Sequence, residues 1–225
     1  MIHRIAAPGQ AWGGLAVLLG LLALAGWGLP RTALDWQPAL VLTQPWRALT
    51  AIGVHYSGLH LLANLAGAAA VGALGIAARA PLAAASAWAV AWPLTQLGLL
   101  VEPALIHYGG LSGVLHAGVA VIAVVLLWRP NTPGPTPEPT PTPAPWPTSA
   151  RRWVGLALLA GLVGKVLLEA PWGAPLRYPA GIDIAVAPLA HASGLVCGLL
   201  SGLACAFVAQ LATRTSRSHE RNPSE

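Results

Sequence analysis

One serine in this chain has a sequence context that would suit a nucleophile. Ser112 lies in the segment Tyr108-Gly-Gly-Leu-Ser-Gly113, at the start of a long apolar run. Gly110 and Gly113 flank it, so another backbone can approach closely. The first turn of a helix also offers free amide groups and the positive end of the helix dipole, which suit an oxyanion. The alternative is structural, because serine often packs between membrane helices.

A histidine in a second apolar run could serve this serine as a base. His191 lies in Ala190-His-Ala-Ser-Gly194, and Gly194, Gly198 and Gly202 follow at helical spacing on or beside its face. Such small residues let a partner helix pack tightly. If this stripe packs against Gly113, His191 comes within reach of the serine.

The pair Ser112 and His191 would be sufficient for nucleophilic catalysis. The histidine would act first as a general base and then as a general acid. Both runs are expected to cross the membrane in the same direction, so the two residues lie at similar depth. No third member is evident, because Asp183 precedes His191 by eight positions and is expected in a loop.

Two further polar residues, His60 and Asn64, begin another apolar run. They are four positions apart and therefore share one helical face. Both can donate hydrogen bonds, and two donors near the ends of the other runs would stabilise a tetrahedral oxyanion. They could equally serve as hydrogen-bonding links between helices, and the residues alone do not choose between these roles.

The remaining polar residues in or near the runs have simpler explanations. Lys165 and Glu169, again four positions apart, predict an ion pair, with a role in substrate binding or gating as the alternative. His116, one turn beyond the serine, is expected to pack beneath the Ser–His pair. His55 and His107 fall in outer loops.

The histidines do not suggest a metal centre. A zinc site needs three or four ligands at closed spacing. His55 and His60 are five positions apart with no carboxylate nearby. We expect neither a metal ion nor a cofactor.

Lipid must be the solvent for the elements that carry these residues. Of 225 residues, 56% are hydrophobic and only 8% are charged, whereas soluble domains carry about 25% charged residues. A helix needs about 20 mostly apolar residues to cross the bilayer core. We therefore predict an all-α, six-span membrane protein, whose first run is a retained span rather than a signal peptide. The six runs are 11–29, 59–78, 82–101, 111–128, 153–170 and 187–208.

The distribution of arginine predicts the orientation of the bundle. With the N-terminus inside, eight arginines fall on the cytoplasmic side and three on the outer side. Both termini are therefore expected in the cytoplasm. The sequence pI of about 10.0 reflects this topology and contact with anionic lipid. No basic cluster with interleaved aromatic residues suggests a nucleic-acid partner.

The domain organisation follows from the runs and the stretches between them. We expect a cytoplasmic N-terminus over 1–10, one six-span domain over 11–210 and a cytoplasmic tail without fixed structure over 211–225. Residues 30–58 form a long outer loop, which suits the headgroup layer because it contains tryptophan and arginine. Residues 130–150 form a proline-rich cytoplasmic linker, and alternating proline there predicts an extended polyproline-type spacer.

Four sequence motifs, in order, resemble those of the rhomboid family of intramembrane serine proteases. They are Trp46-Arg47 in the outer loop, His55 followed by His60-Leu-Leu-Ala-Asn64, Gly110-Leu-Ser-Gly113, and Ala190-His191-x-x-Gly194-x-x-x-Gly198. The resemblance covers roughly residues 40–210. Each motif is weak alone, but four in order at matching depths in a six-span chain are specific.

The resemblance assigns roles to these residues. It implies that Ser112 is the nucleophile and His191 the general base, with His60, Asn64 and the Ser112 amide forming the oxyanion hole. Gly110 belongs to this binding region. The supporting residues are Gly113, His116, Gly194, Gly198, Trp46, Arg47 and His55. Substrates would be single-span membrane proteins, admitted sideways from the lipid bilayer and cut near the outer face.

His116 indicates which subgroup of the family this chain resembles. Many rhomboids carry tyrosine or phenylalanine one turn after the nucleophile, stacked under the histidine, whereas this chain has His116. That substitution, the short chain and Gly164-Lys165 with Glu169 resemble the rhombosortase subgroup. This implies a bacterial inner-membrane protein that processes secreted proteins with a C-terminal Gly-Gly, a hydrophobic helix and a basic tail.

Two alternatives belong to other functional classes. A catalytically inactive relative could bind membrane proteins or act in their quality control, although such relatives typically lose the serine or the histidine. A transporter or channel would favour repeated halves or charged midplane sites. No repeat links residues 11–101 with 111–208.

Overall fold

The architecture is a bundle of long helices. The structure, a computed structural model, describes residues 8–128, 147–180, 183 and 185–220. Within these residues the chain forms no strand, and β-type pairing is limited to isolated bridges such as Trp36 with Tyr108. The long helices are α1 (Gln10–Trp27), α2 (Gly58–Ala77), α3 (Leu82–Leu97), α4 (Ser112–Trp128), α5 (Thr148–Leu168) and α6 (Pro188–Glu220).

Most of these helices suit a bilayer. In the part of the chain that the structure describes, four helical segments are long and apolar enough to cross a membrane: α1, α2, Leu82–Val101 (α3 with the 3₁₀ turn that follows it) and Pro188–Leu211 of α6. The predicted all-helical membrane fold is thus confirmed. Helix α4 is apolar but has only 17 residues, and α5 carries Arg151, Arg152 and Lys165. The count of six spans stays a prediction.

Two helices extend past the boundaries expected from the sequence. Helix α5 begins at Thr148, within the predicted linker 130–150, because no proline follows Pro147 until the helix has ended. The rest of the linker, up to residue 146, lies outside the described residues. Helix α6 continues to Glu220, so the predicted tail is helical over most of its length. No glycine or proline interrupts residues 203–222, and helix propagation therefore has no local barrier.

Helix α4 lies at the centre of the bundle, with 11 of its 17 residues buried. Its closest partner is α6, and glycine makes that approach possible. A Cβ added to Gly113 would lie 2.7 Å from the carbonyl oxygen of Ala190, and one added to Gly194 would overlap the Gly113 carbonyl. Gly198 faces Ala117 in the same way. The backbones of α4 and α6 are thus in direct contact.

The outer loop folds over the N-terminal end of α4. It contains short helices at Arg31–Leu34, Pro38–Leu40, Arg47–Thr50 and Ala51–Gly53. The amide and carbonyl of Trp36 pair with those of Tyr108, with N···O distances of 2.7 and 3.0 Å. The Gly110 amide donates to the Ala51 carbonyl at 2.9 Å. These bonds hold the segment that leads into Ser112.

Candidate active site

Ser112 and His191 meet where α4 and α6 begin. The Ser112 hydroxyl oxygen lies 2.9 Å from His191 Nε2, which is hydrogen-bonding distance. Ser112 is the first residue of α4, and His191 is in the first turn of α6. The His191 side chain is only 8% exposed, so the pair lies largely inside the protein.

The pair lines a cavity of about 700 Å³. Its lining includes apolar or small residues of α2, α4 and α5, namely Ala63, Gly67, Leu115, Val119 and Leu162. The polar groups of the site and residues of the loop between α5 and α6 also line it. A cavity of this size can hold several residues of an extended peptide chain beside the serine.

Helix α5 supplies a neighbour on the far side of the imidazole. Glu169 Oε2 lies 2.6 Å from His191 Nδ1, and Glu169 Oε1 accepts from Lys165 Nζ at 2.6 Å. The predicted ion pair between Lys165 and Glu169 is therefore present. The contact of Glu169 with His191 was not predicted from the sequence. Asp183, the one acidic residue considered there, accepts a hydrogen bond from Ser57 at 3.1 Å.

His116 packs against the His191 ring. The two imidazoles are stacked, with centroids 4.1 Å apart and an interplanar angle of 11°. His116 Nδ1 lies 2.7 Å from the Ser112 carbonyl oxygen. A carbonyl can only accept, so Nδ1 of His116 carries the proton. His116 thus occupies the place of a stacking aromatic residue and is anchored to the backbone of Ser112.

His60 and Asn64 face the same cavity from α2, where both are buried. Ser57 caps this helix, and its hydroxyl accepts from the His60 amide at 3.1 Å. A Cβ added to Gly110 would lie 2.9 Å from His60 Nε2 and 3.9 Å from Asn64 Nδ2. Both polar groups are therefore directed at the turn that precedes Ser112.

Gly110 meets two requirements of that turn. Its φ is +134°, a conformation that side chains with a Cβ rarely adopt. The absence of a Cβ also leaves room for His60.

Comparison with known proteins agrees with this arrangement. The family model of the Rhomboid domain matches residues 42–207, well over half of the chain. The chain belongs to the rhomboid family. The family resemblance predicted from the motifs is thus confirmed, and rhomboids are intramembrane serine proteases that act on membrane proteins. No curated protein matches the chain.

Arg47 of this rhomboid organises the outer loop at a distance from the Ser–His pair. Its buried guanidinium donates to the Asp35 carbonyl at 2.7 Å, to the Asp35 carboxylate at 3.0 Å and to the Thr32 carbonyl at 2.9 Å. Asp35 also contacts His107 Nδ1 at 2.6 Å. Trp46, by contrast, is half exposed and does not line the cavity. Arg47 therefore holds together the loop that covers α4.

His55 supports His60 from behind. Its ring meets the His60 ring edge to face, with centroids 4.8 Å apart. Burial, reinforced by the nearby His60, lowers the pKa of His55 to about 4. His55 is therefore neutral at physiological pH and acts as a packing group. Among the described residues, no three histidine, cysteine or acidic side chains come together in a way that could hold a metal ion.

Proposed function

We propose that this rhomboid is an active intramembrane serine endopeptidase, with Ser112 as nucleophile and His191 as general base. The observation that carries the proposal is the 2.9 Å contact between the Ser112 hydroxyl and His191 Nε2. It lies in a cavity large enough for a peptide segment, in a chain of a protease family. The burial of the pair favours catalysis, because electrostatic stabilisation of the transition state is stronger in surroundings less polar than bulk water.

The proposed reaction has two stages. Ser112 Oγ attacks the scissile carbonyl carbon while its proton passes to His191 Nε2. The tetrahedral intermediate collapses, the C–N bond breaks, and Nε2 returns the proton to the leaving amine. Water then attacks the acyl-enzyme with His191 as base, which releases the new carboxyl end and restores the serine.

His60, Asn64 and the Ser112 amide are proposed to stabilise the oxyanion. The approach of His60 Nε2 and Asn64 Nδ2 to the Gly110 turn supports this role. One Asn64 N–H is already donated to the His60 carbonyl at 3.1 Å. The amide nitrogen has two hydrogens, so a second remains for the substrate.

The proposed substrates are single-span membrane proteins cut near the outer face. We favour rhombosortase-type processing of proteins with a C-terminal Gly-Gly, a hydrophobic helix and a basic tail, in the bacterial inner membrane. Two features support this choice: His116 in the stacking position, and Lys165 with Glu169 beside the site. The arginine distribution supports cytoplasmic termini.

Labelling with a fluorophosphonate probe tests the nucleophile. Membranes containing the wild-type protein should be labelled, and the Ser112→Ala and His191→Ala proteins should not. Ser86→Ala is the matched control, because Ser86 is an exposed serine of α3 whose hydroxyl donates to the Leu82 carbonyl of the same helix. It should be labelled like the wild type.

Cleavage of a reporter tests the substrate class. A single-span reporter with the Gly-Gly tail should be cut by the wild-type protein and left intact by Ser112→Ala. Replacing Gly-Gly in the reporter by Val-Val should abolish cleavage. Equal labelling or cleavage by the wild-type and Ser112→Ala proteins would refute the proteolytic mechanism and favour an inactive binding relative.

A further inference from the structure

The acidic residue at the end of α5 has no place in a two-residue mechanism, although it contacts the proposed base directly. Glu169 is the C-cap of α5, and its Oε2 lies 2.6 Å from His191 Nδ1. On its other side the imidazole reaches Ser112 at 2.9 Å. The three side chains therefore form one continuous hydrogen-bonded line from carboxylate to hydroxyl.

We infer that Glu169 is a positioning residue that holds His191 in the tautomer and orientation needed to accept the serine proton. This inference rests on the proposed protease function and extends it from a pair to a triad. Glu169 is not among the residues that line the cavity. It would therefore act through His191 rather than on the substrate.

The hydrogen-bonding roles of the atoms support the inference. An ionised carboxylate can only accept, so the proton between Glu169 and His191 belongs to Nδ1. In a neutral imidazole the other nitrogen then carries a lone pair. That lone pair, on Nε2, faces the Ser112 hydroxyl. Once Nε2 takes up the serine proton, the adjacent carboxylate also stabilises the imidazolium.

The nearby Lys165 explains why His191 needs the Glu169 carboxylate to keep the productive tautomer. Its Nζ lies 3.3 Å from His191 Nδ1, so it competes with Glu169 for that atom. An ammonium can only donate. If Lys165 bonded to Nδ1, the imidazole proton would move to Nε2, and His191 could no longer accept from Ser112. Glu169 prevents this because its Oε1 binds Nζ at 2.6 Å while Oε2 binds Nδ1.

The local structure keeps Glu169 in place. The Glu169 backbone amide donates to the Lys165 carbonyl at 3.1 Å, and its carbonyl accepts from Arg177 Nη1 at 2.9 Å. Its side chain is 22% exposed. His116, stacked on the imidazole, restricts rotation of the ring out of the line.

Steady-state kinetics of reporter cleavage in lipid vesicles test the inference. Glu169→Gln should lower kcat by about 100-fold with little change in KM, which is less than the about 10⁴-fold loss in the Asp-His-Ser template because water can reach Glu169. Glu169→Asp should recover part of the loss. Glu102→Gln is the matched control, because Glu102 lies in a loop, where its carboxylate accepts from the Ala104 amide. It should behave like the wild type.

Replacing Lys165 distinguishes a positioning role of Glu169 from a purely structural one. In Glu169→Gln, Lys165 is free to donate to Nδ1 and to impose the unproductive tautomer. The double variant Glu169→Gln with Lys165→Met should therefore have a higher kcat than Glu169→Gln alone. If each change merely damaged the structure, the two losses of activity would add, and the double variant would have a lower kcat than Glu169→Gln alone.

Two results would overturn the inference. One is a kcat for Glu169→Gln within twofold of the Glu102→Gln control. The other is a double variant no more active than Glu169→Gln. In either case an inactive Ser112→Ala protein would leave the proposed protease standing. Normal cleavage by Ser112→Ala would instead refute the protease function itself.

Discussion

Replacing Gly110 with alanine should slow catalysis by displacing His60, even though the new group is only a methyl. The added Cβ would lie 2.9 Å from His60 Nε2 and 3.0 Å from His60 Cε1. Both distances are well inside ordinary van der Waals contact, which begins near 3.5 Å. The φ of +134° adds backbone strain of about 1–3 kcal/mol for a non-glycine residue. The turn and the His60 ring must therefore move apart.

The magnitude follows from the role proposed for His60. Loss of one oxyanion donor lowers kcat by about 10²–10³-fold. We expect a decrease in that range for Gly110→Ala in both reporter cleavage and the rate of fluorophosphonate labelling. Thermal unfolding in detergent should show a loss of stability of about 1–3 kcal/mol. Gly14→Ala is the control, because a Cβ there meets nothing within 4 Å.

A double variant decides whether the effect passes through His60. If Gly110→Ala acts by displacing that ring, adding His60→Ala should cost little further activity, since the displaced donor is already lost. If the fold-losses of activity of the two single variants multiply in the double variant, the two changes act independently. Wild-type labelling by Gly110→Ala would refute the assignment of the oxyanion donors to this turn.

Two more predictions concern packing around the pair. Gly194→Ala should separate α4 from α6 and reduce both labelling and thermal stability, because its Cβ would overlap the Gly113 carbonyl. Gly202→Ala should have a far smaller effect, because its Cβ would lie 3.2 Å from its nearest neighbour, the Cβ of Val124. His116→Phe should retain labelling to within about tenfold because ring stacking, worth about 0.5–1.5 kcal/mol, is preserved. His116→Ala should lose more, and equal rates for the two His116 variants would exclude a stacking role.

Much of the site could be read from local patterns. Lipid as solvent requires long apolar helices, so the runs and most of their boundaries were visible in the sequence. A glycine stripe marks where two helices can touch, and this placed Gly194 and Gly198 against the helix of Ser112. Polar residues are costly within spans, so Ser112, His60 and His191 stood out by type alone.

Other boundaries were harder to predict. Polarity and charge near the C-terminus favoured an unstructured tail, yet α6 continues to Glu220 because no residue there stops a helix. The proline-rich segment was expected to run to residue 150, whereas α5 begins at Thr148. Hydropathy indicates which residues lie in the lipid, but a helix can extend beyond the edge of the bilayer.

The sequence by itself thus determined the family and the helical membrane fold, and it singled out Ser112 and His191 as candidates for acyl transfer. Only the tertiary structure showed which side chain contacts the second nitrogen of His191. From spacing, Glu169 had a clear partner in Lys165, and that ion pair exists. The contact of Glu169 with His191 joins residues 22 positions apart in different helices. It depends on the rotation of α5 about its axis, and the packing of α5 on its neighbours sets that rotation.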